Sequence, residues 1–153
     1  MIKLIASDID GTLVKEGSHE IDPAYYDVIR ELKEAGIIFC ACSGRQYHSM
    51  MELFKPVADD IYFIASNGTV VRTRDRVLHS WKIDPEETVY FGDNLNDLTA
   101  FHEAGVAATV ANARSEMQDA ADIVERSFSD LGVLKELRHI LDLHKRFEAE
   151  GKK

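Results

Sequence analysis

Ser7-Asp8-Ile9-Asp10-Gly11-Thr12-Leu13 follows the apolar run of residues 2–6 and decides how the chain is read. The apolar run predicts a strand, and the Gly-Thr pair predicts a turn at its carboxyl end. Side chains alternate along a strand, so Asp8 and Asp10 point the same way. Two neighbouring acids at the end of a buried strand are costly unless something cationic or protonated relieves them. A hard divalent cation with oxygen ligands does so, and leaves one carboxylate free to act as a nucleophile.

Two further strand ends carry residues of the same chemistry. Gly92-Asp93-Asn94-Leu95-Asn96-Asp97 follows the apolar stretch Thr88–Phe91, and Cys40-Ala41-Cys42-Ser43-Gly44-Arg45 ends a second apolar run in a hydroxyl and a glycine. Asp, Ser and Asn at three strand ends suit Mg²⁺ and phosphate. Ligands of open parallel sheets gather outside the carboxyl ends of the strands, near the point where strand order reverses. The three segments are therefore expected to converge on one site.

Around them the chain alternates strand and helix, the pattern of a parallel sheet with crossover helices. Strands are predicted over 3–7, 37–42, 62–66, 89–92 and 106–110, with a short edge strand at 123–124. The first helix spans 23–35, capped by Asp22, entered through Pro23 and stopped by Gly36, with Tyr26, Ile29 and Leu32 facing the sheet. Further helices are predicted at 47–54, 98–104 and 115–121. A last one covers about 130–147, and a charged tail, 148–153, is expected to be disordered. Residues 70–72 and 77–80 read as a small hairpin.

The bulk properties exclude some classes. With 153 residues and 45% hydrophobic content, one domain with its own core is expected. A net charge of −9 argues against nucleic acid or an anionic membrane as partner. No apolar stretch approaches transmembrane length, the N-terminus has no signal-peptide pattern, and a cytoplasmic location is the expectation. Cys40 and Cys42 are read as buried thiols: their i, i+2 spacing does not suit a disulfide, and no further soft ligands accompany them.

Taken together, these segments resemble the haloacid dehalogenase (HAD) superfamily of aspartate-nucleophile phosphatases, and its Cof-type branch most. Asp8-Ile9-Asp10-Gly11-Thr12-Leu13 matches the first family motif, Ser43-Gly44-Arg45 the second, and Gly92–Asp97 the fourth. Ser66-Asn67-Gly68-Thr69 is similar to the turn after the third core strand. Asn112-Ala113, Ala121-Asp122 and Gly132-Val133 extend the likeness. The resemblance implies an α/β, Rossmann-like core, a parallel sheet flanked by helices, within residues 1–147. It also implies an Mg²⁺-dependent phosphatase with Asp8 as nucleophile and Asp10 as general acid and base. Ser43, Gly44 and Asn96 would hold the phosphoryl oxygens. Asp8, the Asp10 carbonyl and Asp93 would bind Mg²⁺, with Asp97 in support.

Two departures stand out. Only residues 70–85 lie where the Cof-type branch inserts a large cap domain, room for a hairpin and a linker. The helix carrying the family's third-motif lysine is missing with the cap, and Lys82 is the lysine left in the interval. Loss of a cation from beside the nucleophile lowers activity, and an open site accepts small phosphorylated metabolites or generic phosphate esters with little discrimination. The alternative is a catalytically impaired remnant that serves as a metal-binding or protein-interaction module. Loss of a covering helix also exposes one apolar sheet face, from which a homodimer is expected.

Overall fold

The structure is a computed structural model and describes residues 1–65, 70–72 and 83–151. In chain order the elements are β1 (Leu4–Asp8), α1 (Ala24–Glu34), β2 (Ile38–Cys42), α2 (Tyr47–Leu53), β3 (Tyr62–Ala65) and β4 (Val70–Arg72). They continue with β5 (Thr88–Phe91), α3 (Leu98–Glu103), β6 (Val106–Val110), α4 (Ser115–Ala120), β7 (Ile123–Glu125) and α5 (Gly132–Glu150). The sheet order is β4-β3-β2-β1-β5-β6-β7, and every neighbouring pair is parallel except β3 with β4.

Strand order reverses at β1, which pairs with β2 on one side and β5 on the other. Right-handed crossovers that travel in opposite directions from β1 put their helices on opposite faces. Phe63 of β3 meets Tyr47 and Phe54 edge-on at ring separations of 5.6 and 6.2 Å, which fixes the α2 face. Tyr90 of β5 meets Phe101 of α3 at 6.1 Å, which fixes the other. Helix α5 returns to pack on α1, where Arg138 and Lys145 both grip Glu31 at 2.8 and 3.1 Å.

Helix α1 begins one residue later than predicted, with Pro23 outside it, yet the Asp22 carboxylate still accepts from the Ala24 N–H at 2.9 Å. Its buried stripe is Tyr25, Val28, Ile29 and Leu32, so Ile29 and Leu32 face the core as expected and Tyr25 takes the place of Tyr26. Tyr26 sits at the flank, its hydroxyl donating to the Leu53 carbonyl at 3.0 Å. Gly36 ends the helix with φ +75°.

The chain's other end also departs from expectation. A single-turn 3₁₀ segment, Phe128–Asp130, and a left-handed Leu131 delay the start of α5 to Gly132. That helix then runs on to Glu150, through half of the expected tail, because Glu148, Ala149 and Glu150 are ordinary helix formers before Gly151. Residues 70–72 do form a strand, paired antiparallel with β3, whereas the second arm of the expected hairpin, 77–80, lies outside the described residues. Cys40 and Cys42 are free and buried. No helix among the described residues is long and apolar enough to cross a membrane.

Candidate active site

The turn after β1 is tight and held by backbone hydrogen bonds. Gly11 donates to the Val14 carbonyl at 2.7 Å, and Leu13 to that of Ile9 at 3.0 Å. A positive φ of +83° at Gly11 lets the backbone pass directly over Asp93. The buried Thr12 hydroxyl donates to Asp93 Oδ1 at 3.0 Å and ties this turn to the end of β5. On the far side, the Asn112 amide donates to the Gly11 carbonyl at 2.7 Å while its oxygen accepts from the Phe128 N–H at 3.0 Å.

The loop after β5 is organised by Asp97, itself almost fully buried. Asp97 Oδ2 accepts from the N–H groups of Asp93 and Asn94 at 3.2 Å each, and Oδ1 accepts from the Tyr90 hydroxyl at 3.0 Å. Gly92 has no room for a side chain, since a Cβ there would lie 2.6 Å from Asp97 Cγ. The buried Thr109 hydroxyl holds the Gly92 carbonyl at 2.7 Å.

Carboxylate oxygens of Asp8, Asp93 and Asp97 lie within 4.8 Å of one another. Burial first, and then the charges of Asp97 and Asp93, pushes the Asp8 carboxyl up to about 8 from an ordinary 3.8. Asp93 and Asp97 are also raised, chiefly by burial, against the hydrogen bonds that they accept. Three crowded acids that resist ionisation, all offering hard oxygen donors, fit a divalent cation such as Mg²⁺.

Asp10 behaves differently. Burial works against its charge, but hydrogen bonds from Arg45 and the Gly17 N–H hold its carboxyl below the usual range. The same arginine's Nε and Nη2 reach Asp10 Oδ2 and Oδ1 at 2.7 and 2.6 Å. Asp8 and Asp10 are thus driven apart in acidity by their surroundings, with Asp8 the weaker acid in the cation-free site, the reverse of the order in which Asp10 would be the proton donor.

An open cleft of about 720 Å³ is lined by Asp8, Asp10, Asp93, Ser43, Gly44, Asn96 and Arg45, among others. Of the residues predicted for the site, the first six of these are therefore together, and Asp97 lies beneath them. A neighbouring cavity of about 390 Å³ opens beside Asp8 over Cys42, Ile64, Tyr90 and Ala100. Ser43 is buried, its hydroxyl accepting from the Arg45 N–H at 3.1 Å, whereas Gly44 and Asn96 are exposed to the cleft. Lys82 lies outside the described residues. Thr12, Arg45 and Asn112 had no assigned role in the sequence reading; their partners lie 81, 35 and 101 residues away.

The chain is similar to several known proteins. It is 29% identical over 99 residues to the 5-amino-6-(5-phospho-D-ribitylamino)uracil phosphatase YbjI of Escherichia coli, covering 65% of this chain and 32% of that protein. It is 27% identical over 100 residues to the phosphatase YwpJ of Bacillus subtilis, covering 65% of this chain and 31% of that protein. The chain spans about a third of the length of these curated relatives. Among solved structures, a protein of Eubacterium rectale superposes with a TM-score of 0.85 at 25% identity, over 91% of this chain and 99% of that one. The family model of haloacid dehalogenase-like hydrolases matches in two stretches, residues 5–83 and 73–137, and together they take in most of the sequence. The chain belongs to the haloacid dehalogenase-like hydrolases.

Proposed function

We propose that the chain hydrolyses phosphate monoesters through an aspartyl-phosphate on Asp8. The observation that carries this reading is the convergence of Asp8, Asp93 and Asp97 within 4.8 Å, with Asp10 held separately by Arg45 in the same cleft. Both curated relatives described above are phosphatases.

In this scheme an Asp8 oxygen attacks phosphorus, the bond from phosphorus to the ester oxygen breaks, and Asp10 gives that oxygen a proton. Asp10 then takes a proton from water as the water oxygen attacks phosphorus, releasing phosphate and restoring Asp8. Ser43 and the Gly44 N–H orient the phosphoryl oxygens, and Asn96 reaches them from the β5 loop. Mg²⁺ bound by Asp8, Asp93 and the Asp10 carbonyl, with Asp97 in support, supplies charge neutralisation at the phosphoryl group.

Residues 70–85 stand in place of the family's cap in this reading, so the site is open and specificity among small phosphorylated metabolites is low. Lys82 is the candidate for the missing cation. Incompletely buried Ala6, Tyr62 and Ile64, on the sheet face shared with Tyr90, support burial of that face in a homodimer. The buried free thiols suit a reducing, cytoplasmic setting.

Phosphate release from p-nitrophenyl phosphate, measured with and without Mg²⁺ for wild type and Asp8→Asn, tests the reading. Mg²⁺-dependent turnover that the variant lacks supports it. Wild-type release no faster than the variant's, in folded protein that binds Mg²⁺, would instead favour the impaired remnant. Subunit mass in solution tests the dimer.

A further inference from the structure

Arg45 sits at a junction that joins three parts of the site. Its Nε donates to Asp10 Oδ2 at 2.7 Å, and its Nη2 donates both to Asp10 Oδ1 at 2.6 Å and to the Ser18 carbonyl at 2.7 Å. The Gly17 N–H adds a third donor to Asp10, on Oδ1 at 2.8 Å. The Arg45 backbone N–H donates to the Ser43 hydroxyl. The Arg45 side chain is 12% exposed and that of Asp10 25%, so the guanidinium is largely covered while the carboxylate still faces the cleft.

Donor and acceptor accounting then limits what Asp10 can do as placed. Oδ1 already accepts from two N–H groups, Arg45 Nη2 and Gly17, whereas Oδ2 accepts from Arg45 Nε alone and keeps a lone pair free to take a proton. Bidentate pairing also fixes the plane of the carboxylate, which a single contact would leave free to turn.

From this arrangement we infer that Arg45 is a positioning residue for the second half of the reaction, holding Asp10 as the acceptor that takes the proton of the attacking water. The inference rests on the phosphatase reading above. In that step the water oxygen bonds to phosphorus, the bond from phosphorus to Asp8 breaks, and the proton passes to Asp10. The first half with p-nitrophenyl phosphate makes no such demand, because p-nitrophenolate leaves without a proton. The two halves are therefore separable by experiment.

The test is rapid-quench kinetics with p-nitrophenyl phosphate on wild type, Arg45→Ala and Arg45→Lys, with folding checked by thermal melts. The expected result is a kcat lowered roughly tenfold or more in Arg45→Ala while kcat/KM stays within about threefold. A burst of p-nitrophenolate and a trapped phosphoenzyme should accompany it. Free guanidinium should restore part of kcat in Arg45→Ala, and Arg45→Lys, which keeps the charge but loses the fork, should fall between the two. Equal losses in kcat and kcat/KM, or no change in either, would overturn the positioning role while leaving the phosphatase reading intact. A wild type that releases no p-nitrophenolate removes that reading and this inference with it.

Discussion

Gly11 lies against Asp93 so closely that a Cβ on Gly11 would stand 2.8 Å from Asp93 Cγ, at a backbone φ of +83°. Any side chain there is strained twice, by its own left-handed conformation and by the carboxylate it must displace. Gly11→Ala is expected to cost about 1–3 kcal/mol of stability, measured by urea unfolding. It should also weaken Mg²⁺ binding by roughly tenfold or more in calorimetry, since the displaced group is a proposed ligand. Unchanged Mg²⁺ affinity in the folded variant would remove Asp93 from the ligand set.

Asn112 supports the same turn from the other side, bridging the Gly11 carbonyl and the Phe128 N–H. Asn112→Ala should cost about 1 kcal/mol, since both hydrogen bonds lie near solvent. Its larger expected effect is on Mg²⁺ affinity, a loss of roughly tenfold, because the turn that carries the Asp10 carbonyl is no longer pinned. Equal affinity for wild type and variant would mean that the turn holds its shape without the bridge.

Proton linkage predicts how the cation-free protein responds to pH. Asp8 keeps its proton up to about 8 when folded but only to about 3.8 when unfolded. Over that window the native state binds more protons than the unfolded state, so stability falls as pH rises. Asp93 and Asp97, also raised, act in the same direction. Asp10, which is lowered, contributes stability that is lost only as pH falls below the ordinary carboxylate range. With EDTA present, Tm should therefore decline between about pH 5 and pH 8. Mg²⁺ or Asp8→Asn should flatten that slope, and a slope that neither alters would place its origin elsewhere.

Phe63 tests the packing that carries β2 and β3. It is fully buried between Tyr47 and Phe54, so Phe63→Ala should cost about 3–5 kcal/mol through lost burial and a residual cavity. A loss under about 1 kcal/mol would mean that α2 collapses onto the sheet unaided.

What the sequence disclosed depended on distance along the chain. Asp8 and Asp10 were legible because strand periodicity is local, and the acids of Asp93–Asp97 because they follow an apolar run in the same way. Contacts that cross the fold were not: nothing near Arg45 says that it will grip Asp10, and nothing near Asn112 points to Gly11. In α1 Ile29 and Leu32 were legible and do face the core, whereas Tyr26 lies at the flank because adjacent Tyr25 takes the buried position. The charged composition of the C-terminal end suggests a tail, but its residues up to Glu150 are good helix formers and continue the helix.

The placement of β1 between β2 and β5 has a consequence for how the protein comes into being. Asp8 emerges first in synthesis, yet its neighbour Asp93 belongs to a strand end written some 85 residues later. A nascent chain stopped before β5 holds Asp8 beside β2 alone, with one side of the strand unpaired and without the carboxylates of Asp93 and Asp97. The Mg²⁺ binding proposed above would then belong to the finished sheet alone, and its onset during refolding would time the moment at which the two halves of the sheet meet.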